Sequence, residues 1–186
     1  MRCKKPATPS GSAPRPAPRC PTPRNLLPRS DVSLETIVSG GQTGVDRAAL
    51  DVALALGLEA GGFCPRGRRA EDGRIPARYP LRETAARAYA ERTRRNVHAA
   101  DATIVLTQQA PTNGTALTLR TARAAGVPFR HVCLPATEDA VTATRRWLVQ
   151  EEVRTLNVAG PRASEEPGVY DAAQAFLERV LKESGC

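Results

Sequence analysis

The sequence predicts an α/β fold, namely a doubly wound parallel sheet of about five or more strands in a three-layer αβα arrangement. From Ser33 onward, short β-branched runs alternate with longer stretches of helical periodicity, which is the pattern of parallel β-α-β units. The chain has 186 residues, of which 41% are hydrophobic, and this suits one domain with an apolar core or one domain plus a tail. No apolar run approaches the roughly 20 residues that a membrane-spanning helix needs, so no membrane partner is expected.

The first thirty residues differ in composition from the rest of the chain. They carry seven of the 27 basic residues, none of the 19 acidic residues and eight of the 16 prolines. The net charge of +8 therefore belongs almost entirely to this segment, and the remainder carries only about +1. This segment has few large apolar side chains, so it cannot bury enough surface to offset the conformational entropy that ordering costs. We therefore expect residues 1–32 to be a disordered tail and residues 33–186 to be the folded domain.

The same tail carries no clear targeting pattern. It lacks the apolar centre of a secretory signal, and its prolines disfavour the amphipathic helix of an organellar transit peptide. A start placed too far upstream is an alternative interpretation that the composition leaves open.

The five cysteines and two histidines form no recognisable site pattern. The cysteines are widely spread without a C-x-x-C pair, which argues against a disulfide framework and against a zinc site. His98 and His131 fall in different predicted elements, and neither follows a strand end beside a serine or cysteine. No metal site and no catalytic triad is therefore predicted, and a reducing, cytoplasmic setting fits best.

The first β-α unit begins with a strand over residues 35–39, where threonine, isoleucine and valine follow one another. A glycine turn leads to a helix over residues 45–56, which is apolar nearly all round and so is expected to be buried. Gly57 closes this helix as a C-cap. A second strand is expected over residues 58–64, followed by a long basic loop over residues 65–81.

The middle of the chain contains the clearest strand, ATIVLT over residues 102–107, which is a continuous β-branched run. A helix over residues 84–99 is expected before it. After a loop over residues 108–113, the periodicity predicts a helix over residues 115–125 that ends before Gly126.

The last part of the chain adds a strand over residues 129–134, a helix over residues 138–150 and a strand over residues 155–159. It closes with a helix over residues 169–182, whose apolar residues recur at helical spacing. No internal repeat and no linker divides this domain.

Ligands of such sheets bind outside the carboxyl ends of the strands, so the strand-to-helix loops are the candidate sites. The first loop, GGQTG, combines glycines with the free N–H groups of a helix start, but it matches neither a Walker loop nor a G-x-G-x-x-G loop. Its candidate ligand contacts are Gly40, Gly41, Gln42, Thr43, Gly44, Asp46 and Arg47. For Asp46, a favourable interaction with the helix dipole is an equally good explanation.

The second loop places three arginines after a strand end. Arginine forks match phosphate and other oxyanions bidentately, so Arg66, Arg68 and Arg69 are candidate anion contacts, together with Gly67. A solvated basic loop is the alternative interpretation. Cys64 could act as a soft metal ligand, although a small apolar residue at a strand end is the better interpretation.

The third loop contains Asn113, Gly114 and Thr115 just before a helix, where capping by itself explains one of the three. A fourth loop, AGPR, places Arg162 after the last strand. Because four such loops are expected at one edge of the sheet, we predict a pocket there that binds a small anionic ligand.

Six motifs follow one another over about residues 36–181. They are SGGQTGVDRAALD, GGFCPRGRRAEDG, YPLRET, RTRRNV, NGTALT and LNVAGPRASEEPGVY. In this order they resemble the molybdenum cofactor carrier protein family, a Rossmann-like group related to lysine-decarboxylase-like and phosphoribohydrolase proteins.

The resemblance implies a Rossmann-like domain that binds molybdenum cofactor (molybdopterin), a phosphorylated pyranopterin with a dithiolene-held oxo-metal, or molybdate. It also implies storage or protected transfer rather than turnover, a homo-oligomer (dimer or tetramer), and molybdoenzymes as recipients. The four loop arginines would then contact the phosphate or the oxo-anion. Gln42, Asn113 and Thr115 would form hydrogen bonds to the pterin.

Other functions of the same fold are the alternatives. Phosphoribohydrolases, which cleave nucleoside monophosphates, carry P-G-G-x-G-T-x-x-E, whereas Thr118 stands here in place of their catalytic glutamate. Asp46, Glu71 or Asp72 could replace that carboxylate, so a phosphoribohydrolase or a nucleotide-binding sensor stays open. Specific nucleic-acid binding is not expected, because the excess positive charge lies in the tail and no basic-aromatic stripe is present. We therefore expect a non-catalytic protein with a small anionic cofactor as its partner.

Overall fold

The computed structural model describes residues 33–182, so the expected tail and the last four residues of the expected domain lie outside the described residues. This range contains the strands β1 (Thr36–Val38), β2 (Glu59–Gly61), β3 (Phe63–Cys64), β4 (Arg69–Ala70), β5 (Gly73–Arg74), β6 (Arg82–Glu83), β7 (Ala102–Thr107), β8 (Phe129–Cys133) and β9 (Thr155–Ala159). Its helices are α1 (Val45–Ala55), α2 (Tyr89–His98), α3 (Asn113–Ala125), α4 (Glu138–Gln150) and α5 (Val169–Leu181). None of these helices is long and apolar enough to cross a membrane.

The main sheet has five strands, all parallel, in the order β2-β1-β9-β7-β8. Ile37 lies opposite Leu156 in the β1–β9 pair, and Ile104 lies opposite Val158 in the β7–β9 pair. When β9 is counted as the first strand, this order becomes 3-2-1-4-5, the usual order of a Rossmann sheet. The predicted α/β fold is therefore confirmed, and the winding reverses between β9 and β7.

The two faces of this sheet differ in chemistry. On one face, Ile37, Ile104 and Leu156 lie in a continuous apolar core with α1, α4 and α5, and each is at most 1% exposed. Full burial of such a side chain contributes about 1.5–3 kcal/mol. The other face carries Asn157 and Thr103, both buried, and Asn157 Nδ2 donates to Thr103 Oγ1 at 3.2 Å. Polar side chains are therefore buried on the side of the sheet where α2 and α3 pack together.

The bounds of two predicted elements are wrong. The strand expected over residues 58–64 is divided into β2 and β3 at Gly62, whose φ is 123° and whose missing side chain leaves room for the backbone of Ser39. The helix expected from residue 84 begins at Tyr89, because Thr84 Oγ1 donates to the carbonyl of Ala86 at 2.9 Å and holds a turn there.

The basic loop is largely ordered rather than open. It contains the antiparallel pair β4–β5, and β6 pairs in parallel with β3. Beneath the loop lies a second, smaller apolar cluster, whose buried members are Leu50, Cys64, Ile75, Tyr79 and Leu81. The loop is therefore packed onto α1 by its own core, which fixes where its arginines lie.

Candidate functional site

A cleft of about 240 Å³ opens beside the carboxyl end of β9, where the winding of the sheet reverses. Four segments line it: the β1–α1 loop, the face of α2, the start of α3 and the segment after β9. The lining residues are Gln42, Asp46, Tyr89, Arg92, Thr93, Gly114, Thr115, Leu117, Thr118, Ala159, Gly160, Arg162 and Glu165. This is the place where open α/β sheets bind their ligands.

The structure brings five of the sequence-predicted site residues to this cleft, from three of the four predicted loops. They are Gln42, Asp46, Gly114, Thr115 and Arg162. Asn113 begins α3 beside them. Their common position follows from the topology, because β1, β7 and β9 are adjacent parallel strands whose carboxyl ends meet at one edge.

The other predicted contacts do not line the cleft. Arg66, Gly67 and Arg69 are exposed in the basic loop. Gly41 and Gly44 shape the β1–α1 turn with φ values of 73° and 74°.

Arg68 is directed into its own loop instead of toward the cleft. Its Nε and Nη1 donate to the carbonyls of Ile75 and Leu81 at 3.2 and 3.1 Å. Its Nη2 donates to the carbonyls of Pro76 and Tyr79, both at 2.9 Å. The guanidinium therefore organises the loop over the small apolar cluster, and these donors are already engaged.

Arg47 is likewise engaged with a neighbouring carboxylate. Its two terminal nitrogens donate to Asp72 at 2.5 and 2.8 Å, and its Nε donates to the carbonyl of Gly41 at 3.3 Å. The hydrogen bonds from Arg47 lower the pKa of Asp72. This pair ties the β4–β5 turn to the first helix.

Asp46 and Arg92 form an ion pair at the base of the cleft. Arg92 Nη1 donates to Asp46 Oδ2 at 2.9 Å, and the same oxygen accepts the backbone N–H of Gln42 at 3.2 Å. The Asp46 side chain is only 2% exposed. Burial of both partners makes the pair costly to break, since the remaining charge would lie unpaired in a poorly solvated place.

Two buried donors in this cleft have no partner among the described residues, Gln42 Nε2 and Arg92 Nε. The amide of Gln42 cannot be turned over, because its Oε1 already accepts the backbone N–H groups of Thr43 at 3.1 Å and Glu71 at 2.9 Å. Buried polar groups in proteins nearly always have a hydrogen-bond partner. Both residues line the cleft, so these two donors are polar groups beside it that residues 33–182 leave unpaired.

The charged groups that line the cleft balance one another. Arg92 and Arg162 are countered by Asp46 and Glu165. Both guanidinium groups also lie 5.9 Å from the centre of the Tyr89 ring. Of the four loop arginines expected to bind an anion, only Arg162 lines this cleft, and the cleft is therefore polar and charge-balanced.

The residues of the site that sequence reasoning did not single out come chiefly from α2. Tyr89, Arg92 and Thr93 occupy one face of this helix at spacings of three and four residues, and Asn96 continues the face. A helix face that packs into a protein is usually apolar. Polar residues at this spacing were therefore the sequence feature that could have indicated a site on α2. The sequence could not show which layer of the fold the face would meet.

Glu71 joins the β4–β5 turn to two of the loops that line the cleft. Its carboxylate accepts hydrogen bonds from the hydroxyls of Thr43 and Ser164, and from the backbone N–H of Ser164 at 3.3 Å. Arg162 Nε lies 3.8 Å from it. Burial acts to raise the pKa of Glu71, but the hydrogen bonds from Ser164 and Thr43 outweigh it, and the pKa is lowered.

Thr118 lines the cleft at the position where phosphoribohydrolases carry their glutamate. Its hydroxyl donates to the carbonyl of Gly114 at 3.1 Å. Within residues 33–182, no three His, Cys, Asp or Glu side chains are grouped as metal ligands.

Comparison with known proteins agrees with this architecture. Residues 37–181 match the model of the circularly permutated YpsA SLOG family. The sheet itself has a permuted strand order, because β9, the last strand within residues 33–182, takes the place of the first strand in the usual order. The crystal structure of a protein from Syntrophus aciditrophicus SB that is named as a molybdenum carrier is 39% identical to this chain, with a TM-score of 0.79. The match covers 82% of this chain and 98% of that one. No curated protein matches the chain.

The family resemblance drawn from the six motifs is thereby confirmed. The family match runs from β1 to α5, and the structural match covers 82% of the chain. The chain belongs to the circularly permutated YpsA SLOG family.

Proposed function

We propose that this protein binds molybdenum cofactor, or molybdate as its simplest related oxyanion, in the cleft beside β9 and holds it for storage or transfer. The observation that carries the proposal is that two residues lining that cleft have buried donors, Gln42 Nε2 and Arg92 Nε, with no hydrogen-bond partner in the described part of the chain. The 39% identity to a protein named as a molybdenum carrier directs the proposal to this class of ligand.

The chemistry of the lining suits an oxygen-rich ligand. The unpartnered amide and guanidinium N–H groups can donate to oxo, carbonyl or phosphate oxygens. The hydroxyl of Thr115, a residue that is 6% exposed, can donate or accept beside them. A pterin carries both donors and acceptors at its edges, so a polar and charge-balanced cleft can hold it without burying an unpaired charge.

Carriage without turnover is supported by the state of the carboxylates. Asp46 is paired with Arg92, Asp72 is paired with Arg47, and Glu71 accepts several hydrogen bonds. The pKa values of Glu71 and Asp72 are lowered by these hydrogen bonds, which makes both carboxylates weaker proton acceptors for hydrolysis. The proposal includes a cytoplasmic location, a homo-oligomer, molybdoenzymes as recipients, and residues 33–186 as the carrier domain with the tail at 1–32 outside it.

The test is loading of the purified protein with isolated molybdenum cofactor. Protein-bound molybdenum is measured by mass spectrometry after gel filtration, and transfer is measured by activation of a cofactor-free molybdoenzyme. Gln42→Glu keeps the accepting oxygen but replaces the free donor with a second oxygen. Since a hydrogen bond to a charged group contributes about 1.5–3 kcal/mol, affinity should fall by about 10- to 100-fold.

Two matched substitutions serve as controls. Gln150→Glu makes the same chemical change at the exposed end of α4. Arg92→Lys removes the unpartnered Nε–H and should also lower the affinity, and Arg94→Lys makes that change at an exposed position of α2. Both controls should load like the unaltered protein. Equal loading of Gln42→Glu and Gln150→Glu would contradict the proposed cleft, and release of free base from nucleoside monophosphates would favour the phosphoribohydrolase alternative.

A further inference from the structure

A cluster of donors beside the cleft is filled by a carboxylate of the protein itself. The hydroxyls of Thr43 and Ser164 both donate to Glu71, as does the backbone N–H of Ser164. The guanidinium of Arg162 lies 3.8 Å away. Hydroxyl, backbone N–H and guanidinium groups that converge on one point are the donor set with which proteins bind phosphate.

The carboxylate reaches this point from the tip of the β4–β5 hairpin, residues 69–74. The tip has further polar contacts besides those of the carboxylate: the backbone N–H of Glu71 donates to Gln42 Oε1 at 2.9 Å, and Asp72 pairs with Arg47. Glu71 and Asp72 form the turn between two strands of only two residues each, and their side chains are 19% and 47% exposed. Ala70 of the hairpin packs against the second apolar cluster, whereas the tip is held by polar contacts alone, so the tip can move while the rest of the hairpin stays packed.

The donor cluster and the cleft are parts of one continuous site. Arg162 lines the cleft and also approaches Glu71, and its Nε lies 3.3 Å from Glu165. The charges that line the cleft already cancel. An anionic group of a ligand therefore binds most favourably at a point that a carboxylate of the protein can leave, because the hydrogen-bond donors of that carboxylate then become available. The donor cluster around Glu71 meets this condition.

We propose that this cluster is a subsite for the phosphate monoester group of the ligand, and that Glu71 occupies it only in the free protein. The incoming phosphate takes the hydrogen bonds of Thr43 and Ser164 and approaches Arg162. The Glu71 carboxylate then turns out to solvent together with the tip of the hairpin. The identity of the rest of the ligand rests on the proposed function, whereas the subsite itself requires only a phosphate group.

Removal of the internal carboxylate separates this proposal from a purely structural role of Glu71. If Glu71 competes with phosphate, the empty subsite is a minor state of the unaltered protein, and minor states are populated at about 0.1–10%. The apparent affinity is reduced by that fraction. Glu71→Ala should therefore bind phosphate at least about tenfold more tightly.

The experiment measures the affinity of inorganic phosphate by calorimetry for the full chain and its variants. Asp72→Ala is the matched control, because it removes the neighbouring carboxylate and its ion pair from the same hairpin but leaves Glu71 in place. Glu71→Gln keeps the shape of the side chain without its charge and should give an intermediate gain. Hydrogen exchange of residues 69–74 in the unaltered protein should become faster when phosphate is bound.

Two results would overturn the subsite. One is the same phosphate affinity in the unaltered protein, Glu71→Gln and Glu71→Ala, and the other is an equal gain in Asp72→Ala, which would assign the effect to a loosened hairpin. Because no molybdenum is used, these results are independent of the cofactor-loading test: phosphate can displace Glu71 in a protein that fails to load cofactor, and cofactor can load without displacing it.

Discussion

The guanidinium of Arg92 occupies the space that a side chain at Gly40 would need. Glycine at this position thus permits the buried pair between Arg92 and Asp46, which in turn forms the base of the cleft. One residue without a side chain therefore links the β1–α1 loop to the face of α2.

Gly40→Ala should displace the guanidinium and break this pair. Loss of one partner from a buried ion pair leaves the other charge unpaired, so we expect the free energy of unfolding to fall by about 3 kcal/mol. Urea unfolding followed by circular dichroism measures the change. Gly114→Ala is the control, because a Cβ there meets no atom within 4 Å, and it should be neutral or slightly stabilising.

Arg68→Ala should destabilise the protein, whereas Arg69→Ala should not. Arg68 satisfies four carbonyl groups of its loop, and their loss should cost about 2–3 kcal/mol. Arg69 is exposed, and changes at such positions usually stay within about 0.5 kcal/mol. Thermal unfolding of both variants distinguishes this structural role from direct anion binding, for which both substitutions would weaken ligand affinity without loss of stability.

The phenol of Tyr170 should lose its proton at a higher pH than an ordinary tyrosine does. Burial, a hydrogen bond to Asp51 at 2.8 Å and the charge of that carboxylate raise its pKa from 10.0 to about 12. Because the folded state retains the phenol proton longer than the unfolded state, this contribution to stability is complete below pH 10.0 and is lost as the pH rises to about 12. Ultraviolet titration should show an earlier phenolate signal from this tyrosine in Asp51→Asn, and an unshifted signal would contradict the role of Asp51.

Glu71 should stabilise the protein in its charged form. Its pKa is lowered below the usual 4.5, so the folded state releases this proton more readily than the unfolded state does. The stabilisation is therefore present above pH 4.5 and is lost as the pH falls through the lowered pKa. Glu71→Gln should be less stable than the unaltered protein at neutral pH, and the difference should shrink in acid; a difference that is independent of pH would rule out the charge as its cause.

Local patterns were sufficient for much of the fold. The helix α4 has the predicted bounds, and Thr137 caps its start by accepting the N–H of Ala140 at 3.3 Å. The strand β7 also has the predicted bounds, because its six residues are buried on both sides of the sheet and so form a continuous apolar and β-branched run. The start of α2 was missed because a side-chain hydrogen bond at Thr84 competes with the helix.

For the site, the sequence by itself determined the edge of the sheet and the loops that meet there, since parallel strands place their carboxyl ends together. These loops include Gln42, Asp46 and Arg162, which line the cleft in the structure. Only the tertiary structure decided which arginines face the cleft. Arginine presents the same chemistry in every loop, and packing directs Arg68 to carbonyl groups and Arg92 to the cleft. The path of the basic loop and the face of α2 depend on contacts distant in sequence, and no local pattern encodes them.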